Sequence, residues 1–242
     1  MEKPFLDKKA LVIGGTGGIG KAVALGLASR GADLYIHGGS SQQRLEDTLK
    51  AIRKFGGKAE GFLLTIEDPG AAEEILERFP LPDILICAWG PFKRAPLTEF
   101  NRDFWQYMVM ANLTFPGLLV SLVLPEMIRN RWGRILLFGG TNTENIRGFI
   151  SSTPYSAAKT GLGVIAKSVA RSTAGYGINC NLICPGLTDT EYLSDDEKRY
   201  NKELNPGNKI LMPEDIARSC MDILENPNIN GALIPVDLGV CL

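Results

Sequence analysis

Tyr155 and Lys159 stand four residues apart in the run Tyr155-Ser156-Ala157-Ala158-Lys159. In a helix that spacing puts both side chains on one face. The pairing has a chemical use, because a phenol titrates near 10 and exchanges protons poorly at neutral pH. An ammonium about 4 Å away is worth roughly 4 kcal/mol at an effective dielectric of about 20. That corresponds to about three pKa units and brings the phenol toward 7. The spacing alone is common, so its meaning depends on what else the chain carries.

The second feature is Leu11-Val12-Ile13-Gly14-Gly15-Thr16-Gly17-Gly18-Ile19-Gly20. An apolar strand-like run leads into glycines at 14, 18 and 20, and an alanine-rich helical stretch follows. A tight strand-to-helix turn needs residues that tolerate positive φ. A pyrophosphate must approach such a backbone closely, where a Cβ would block it. The helix start then offers free N–H groups and the positive end of its dipole. Gly14, Thr16, Gly17, Gly18, Ile19 and Gly20 are the candidate phosphate-binding residues.

Both features need a scaffold, and the rest of the chain supplies its pattern. Short apolar runs occur at Ala10–Ile13, Leu34–Ile36, Phe62–Thr65, Ile84–Cys87, Ile135–Phe138, Cys180–Cys184 and Leu233–Val236. Such runs suit parallel strands buried on both faces. Between them lie helical patterns such as Val23/Leu27 and Ile165/Val169. The alternation implies an α/β fold: one doubly wound, parallel, seven-stranded Rossmann-like sheet in a single domain over 1–242. Only 188–213 lacks periodicity. It reads either as a solvated surface excursion or as a mobile loop over a substrate pocket.

Composition sets limits on function. The chain has 242 residues, 45% of them hydrophobic and 22% charged, with a formal net charge of -1. These values argue against disorder and against a field that attracts nucleic acid or anionic membranes. The most apolar stretch, Phe115–Pro125, falls short of the roughly 20 residues of a membrane span. No signal-peptide pattern follows Met1, so a cytoplasmic location is expected. Cys241, second from the end, does not make a prenylation box. The five cysteines are irregularly spaced beside a single histidine, His37; they read as reduced, buried thiols, and no metal site is expected.

Taken together, the glycine turn and the Tyr155/Lys159 pair resemble the short-chain dehydrogenase/reductase family, in the single-domain branch that includes 3-oxoacyl-carrier-protein reductases. Further stretches extend the resemblance along nearly the whole chain. Asn112-Leu113-Thr114 resembles the family's helix asparagine, which holds a water chained to the lysine. Gly133-Arg134-Ile135 resembles the start of the fifth strand. The stretch from Asn181 to Thr190, including Pro185, Gly186, Thr188 and Thr190, resembles the segment that contacts nicotinamide. The motifs at Pro213–Ala217 and Pro235–Gly239 resemble the C-terminal signatures.

The resemblance implies hydride transfer between nicotinamide and a small carbonyl or alcohol substrate. Tyr155 is then the general acid/base and Lys159 its partner on the nicotinamide ribose. Asn112 anchors the relay water, and a homodimer or homotetramer is expected. Trp89, Phe92, Tyr192 and Leu193 are candidates for an apolar pocket.

Four departures qualify the match, the first being that the glycine turn starts Ile13-Gly14 where the family usually has Thr-Gly. The stretch after the fourth strand reads Cys87-Ala88-Trp89-Gly90, and only Gly90 keeps the family pattern. Thr65 stands where an acid usually meets adenine. The family's catalytic serine is missing: counting from the fifth strand reaches Gly140, counting back from Tyr155 reaches Asn142, and the segment carries a two-residue insertion. Thr141 is the first-choice substitute and Asn142 the second. A chain with the fold but little or no turnover, acting as a dinucleotide sensor or partner subunit, is the alternative reading.

For the cofactor, no acid follows the second strand through Ile36-His37-Gly38-Gly39-Ser40-Ser41-Gln42-Gln43-Arg44. An acid there would select the free ribose diol of NAD. Ser40, Ser41 and Arg44 instead suit a 2′-phosphate, so NADP(H) is favoured over NAD(H). His37 reads as a packing residue at the strand end.

Overall fold

A computed structural model describes residues 3–240; Met1, Glu2, Cys241 and Leu242 lie outside them. The chain alternates β1 (Lys9–Ile13), α1 (Gly18–Ser29), β2 (Asp33–Gly38), α2 (Gln42–Arg53), β3 (Ala59–Leu63), α3 (Ala71–Arg78) and β4 (Ile84–Cys87). It continues through α4 (Arg102–Val109), a π-helical turn (Met110–Thr114), α5 (Phe115–Asn130), β5 (Gly133–Phe138) and α6 (Thr153–Ser172). The last elements are β6 (Ile178–Pro185), α7 (Asp195–Leu204), α8 (Pro213–Glu225) and β7 (Leu233–Val236).

All pairings in the seven-stranded sheet are parallel, in the order β3-β2-β1-β4-β5-β6-β7. Strand alternation sorts the core into two layers. Ala10 and Val12 of β1 face α1 and α8 through Val23, Leu27 and Ile216. Leu11 and Ile13 face α5 and α6 through Phe115, Leu119 and Leu162. The chain winds outward from β1 to β3 and returns to β4 beside β1. The carboxyl ends of β1 and β4 therefore frame the crevice where such sheets bind ligands.

Three expectations need adjusting. The third strand starts at Ala59 and ends at Leu63, before Thr65. It is an edge strand whose outer face is partly exposed, so its first residues are not continuously apolar. Gly61 is needed there because a Cβ would lie 2.7 Å from the Ile36 carbonyl oxygen.

The segment 188–213 is also not an unstructured excursion. Its ends are joined by a bridge between Thr188 and Leu211 and by the Asp189 N–H donating to the Leu211 carbonyl at 2.7 Å. Within it, α7 starts at a capping box in which Ser194 and Glu197 satisfy each other's backbone N–H groups.

Finally, α4, the π turn and α5 run together over 29 residues, Arg102–Asn130, long and apolar enough to cross a membrane by length and composition. Phe115, Leu119, Val120, Val123 and Met127 of this run are buried in the core against the sheet, as in the central helix of a globular α/β domain. Four of the cysteines, Cys87, Cys180, Cys184 and Cys220, are free and buried.

Candidate active site

The first wall of the site is the turn after β1. Gly14 and Gly18 have φ of +76° and +47°, a region costly for residues with a Cβ. A Cβ on Gly20 would run into the Gly14 carbonyl oxygen. The Gly15 N–H donates to the His37 carbonyl at 3.0 Å, tying the turn to β2. Neither a side-chain cap nor an acid in the first turn of α1 satisfies its free N–H groups. Instead the Gly18 N–H donates to both carboxylate oxygens of Glu191, at 3.0 and 3.1 Å.

Gly14, Thr16, Gly17, Gly18, Ile19 and Gly20 all face a cavity of about 870 Å³. Ser40, Ser41 and Arg44 lie along the same cavity. Ser41 also caps α2, its hydroxyl accepting from the Arg44 N–H at 3.4 Å. The Arg44 guanidinium sits 5.1 Å from the centre of the Tyr192 ring. His37 is fully buried, with Nε2 2.8 Å from the Leu64 carbonyl oxygen. Desolvation lowers its pKa, as befits a neutral packing residue.

The loop after β4 forms the opposite wall. Trp89, Gly90 and Phe92 line the cavity, as do Tyr192 and Leu193 across from them. Phe92 meets the Tyr155 ring edge-on, with centroids 4.8 Å apart. Gly90 acts as a window onto buried polar atoms. A Cβ there would collide with Asn112 Oδ1 and lie 2.9 Å from Lys159 Nζ. Asn112 is fully buried in the π-helical turn. Its Nδ2 donates to the carbonyls of Pro91 at 3.1 Å and Met108 at 3.2 Å. Its Oδ1 has no partner. An orphaned acceptor beside a buried ammonium is costly unless a polar ligand or water joins them.

The electrostatics differ from the expectation. Lys159 Nζ is 5.8 Å from the centre of the Tyr155 ring. Burial pushes the Tyr155 phenol above its usual range, with Cys184 adding to the shift. Burial likewise pushes Lys159 down to about 8, opposed by Cys87 and Cys184. Desolvation of the phenolate outweighs the ammonium at this distance. The pair is therefore set with a neutral phenol, not one brought to 7.

Position 140 explains part of the missing serine. A Cβ on Gly140 would lie 2.8 Å from both Cε1 and Oη of Tyr155. This is the spot beside the phenol, and it carries no side chain. The inserted residues form a tight turn in which the Thr143 N–H donates to the Gly140 carbonyl at 3.2 Å and Asn142 takes φ of +67°. Thr141 Oγ1 donates to the Pro185 carbonyl at 3.1 Å. Thr143 is buried, and its hydroxyl both accepts from the Gly140 N–H and donates to the Gly140 carbonyl, closing the turn. Asn142 Oδ1 is buried without a partner.

Of the remaining candidates, Thr190 lines the cavity. Pro185 ends β6 and receives Thr141, while Gly186 packs on Asp237, where a Cβ would come within 2.6 Å of its Cα. The Thr188 hydroxyl donates to the Gly186 carbonyl at 2.9 Å. Tyr155, Lys159 and Asn112 sit behind Gly90 and Phe92, next to the cavity and outside its lining. Sequence reasoning missed Glu191. Its contact joins residues 173 apart in the chain, and no local pattern announces it. No cluster of three or more metal-ligating side chains occurs among the described residues.

Comparison with known proteins identifies the family. The family model described as short chain dehydrogenase matches residues 8–201. The chain is 31% identical to a 2-dehydro-3-deoxy-D-gluconate 5-dehydrogenase of Pseudoalteromonas atlantica, over 99% of this chain and 98% of the relative. It is 33% identical to the 3-oxoacyl-[acyl-carrier-protein] reductase of Salmonella typhimurium, over 88% of each. Among solved structures, a 3-oxoacyl (acyl-carrier-protein) reductase from Agrobacterium tumefaciens with NADP bound superposes with a TM-score of 0.90. That match has 26% identity and covers 97% of this chain and 95% of the other.

Proposed function

The chain belongs to the short-chain dehydrogenase/reductase family, and we propose that it is an NADP(H)-dependent oxidoreductase acting on a carbonyl or alcohol substrate. The observation that supports this reading most is the convergence behind Gly90 and Gly140. One missing Cβ opens onto Asn112 and Lys159, the other onto the Tyr155 hydroxyl. A protein that only bound a dinucleotide would need the glycine turn and not this buried proton-transfer set.

The residues present fit a nicotinamide dinucleotide. The left-handed glycines and the Gly20–Gly14 approach make a cradle that any Cβ would fill. The orphaned Asn112 Oδ1 asks for a polar partner. Ser40, Ser41 and Arg44 line the cavity where a 2′-phosphate would lie, with no acid before Glu46. The NADP-bound relative agrees with that preference. Gly14, Gly18 and Gly20 would hold the pyrophosphate, and Pro185, Gly186, Thr188 and Thr190 the nicotinamide side.

When bound, the reduced dinucleotide supplies a hydride to the carbonyl carbon. Tyr155 donates its phenolic proton to the carbonyl oxygen as general acid. The raised phenol pKa keeps that proton in place at neutral pH, the protonation state that carbonyl reduction requires. The Lys159 ammonium stabilises the phenolate left behind and holds the nicotinamide ribose. Asn112 Oδ1 accepts from a water that returns a proton toward Lys159. Thr141 supplies the second hydrogen bond to the substrate oxygen by turning its hydroxyl away from Pro185. Asn142, buried and unpaired at Oδ1, is the second choice. The flap formed by 189–210 covers the substrate.

A reading with little or no turnover draws on one observation: position 140, against the phenol, has no side chain. The two readings separate by following NADPH oxidation with a panel of ketones, oxo acids and 3-oxoacyl thioesters. Turnover with any of them supports the enzyme. Tight NADPH binding with no turnover supports the binding protein.

A further inference from the structure

The dinucleotide cradle already holds an anion supplied by the chain itself. Gly18, first residue of the twelve-residue helix α1, donates its N–H to both carboxylate oxygens of Glu191. The space above Gly17 is covered as well. A Cβ there would collide with Glu191 Oε1 and with the Tyr192 hydroxyl. Tyr192 also lies beneath the Arg44 guanidinium, 5.1 Å from ring centre to Cζ. One dipeptide thus sits on the helix N-terminus, where a pyrophosphate would go, and on the cation assigned to the 2′-phosphate.

The flap that presents this dipeptide is anchored on both sides. Behind it, Thr188 bridges to Leu211. Ahead of it, Lys198 pairs with Asp189 at 2.8 Å and the Ser194/Glu197 box starts α7. Glu191 and Tyr192 are themselves exposed, so no buried packing locks them in place. A carboxylate on a helix N–H is a charge-assisted contact. It uses a single N–H, whereas a pyrophosphate carries more charge and can engage several.

We propose that Glu191 and Tyr192 form an internal competitor for the dinucleotide, a displaceable autoinhibitory contact of the flap. The inference rests on the reading that the glycine turn holds a pyrophosphate. Cofactor binding must lift the tip of the flap from α1 and from Arg44. The intrinsic affinity is then reduced by the fraction of molecules with the flap raised. Lifting also frees residues 190–193 to close over a substrate.

The test is equilibrium titration of NADPH fluorescence with the full chain and with Glu191→Ala and Glu191→Gln. Glu191→Ala is expected to bind NADPH about tenfold more tightly, mainly through faster association. Glu191→Gln, isosteric and neutral, is expected to gain about threefold, because a neutral acceptor holds the N–H more weakly. Limited proteolysis without cofactor should cut the Glu191→Ala flap faster than the wild-type flap, with equal protection once NADPH is bound. Unchanged or weakened affinity in both variants, with wild-type thermal melts, overturns the competitor while leaving the proposed function intact. Failure of the wild-type chain to bind either NADPH or NADH overturns both.

Discussion

The two sides of the cavity are built by different means. On one side, residues 14–20 form a turn specified almost entirely by local backbone demands: left-handed glycines, a Cβ-free approach and a helix start with no cap from its own neighbours in sequence. On the other, the proton-transfer set gathers Asn112 from a π turn, Gly140 from the end of β5 and Tyr155 and Lys159 from α6. Its properties depend on burial and on how three separate segments meet. Binding is thus carried by a short stretch of chain, and chemistry by tertiary structure. The missing serine falls entirely on the second side.

That contrast can be broken or sharpened by substitutions that address one side at a time. Thr141→Ala is expected to lower kcat about a hundredfold, the typical cost of a lost hydrogen-bond donor to a developing oxyanion, with NADPH affinity unchanged. Thr141→Ser should keep most of the activity. If Thr141→Ala turns over normally while Asn142→Ala does not, the donor is Asn142. Gly20→Ala forces a Cβ against the Gly14 carbonyl. At about 2 kcal/mol for overpacking, NADPH affinity should fall about thirtyfold, as calorimetric titration would read. Arg44→Ala should weaken NADPH about fivefold relative to NADH, near 1 kcal/mol for an exposed charge; equal changes for the two would remove Arg44 from 2′-phosphate recognition.

The smallest expected effect is on the pH profile. With Lys159 lowered to about 8, its ammonium is present below that pH and lost above it. The Tyr155 phenol, raised by burial, stays protonated through the same window. Carbonyl reduction at saturating NADPH should fall to about half as the pH rises through roughly 8. A decline that starts below 7 would show that the phenol is lowered by the Lys159 ammonium and not raised by burial.

The same division governs what can be read from the sequence. The glycine turn, the seven parallel strands of an α/β sheet and the Tyr155/Lys159 face are legible because each follows from local geometry or repeated periodicity. The third strand was misplaced toward Thr65 because an edge strand does not carry the apolar run of a central one. Helix α7 went unread because it has no apolar stripe, although Ser194-Asp195-Asp196-Glu197 is a visible capping signal. The π turn at Asn112 has no local signature. The direction of the Tyr155 shift could not be read either, since spacing gives the distance to Lys159 but not the desolvation that opposes it. Glu191 reaches Gly18 only through the fold.

The central claim is that one cavity holds NADPH on the glycine turn and delivers the proton from Tyr155. It is tested most directly by measuring NADPH binding and carbonyl-dependent NADPH oxidation side by side in the wild-type chain and in Tyr155→Phe. The account predicts a loss of turnover of about a thousandfold or more with NADPH affinity within about twofold of wild type. Turnover retained in Tyr155→Phe, or NADPH binding lost with it, would contradict the account.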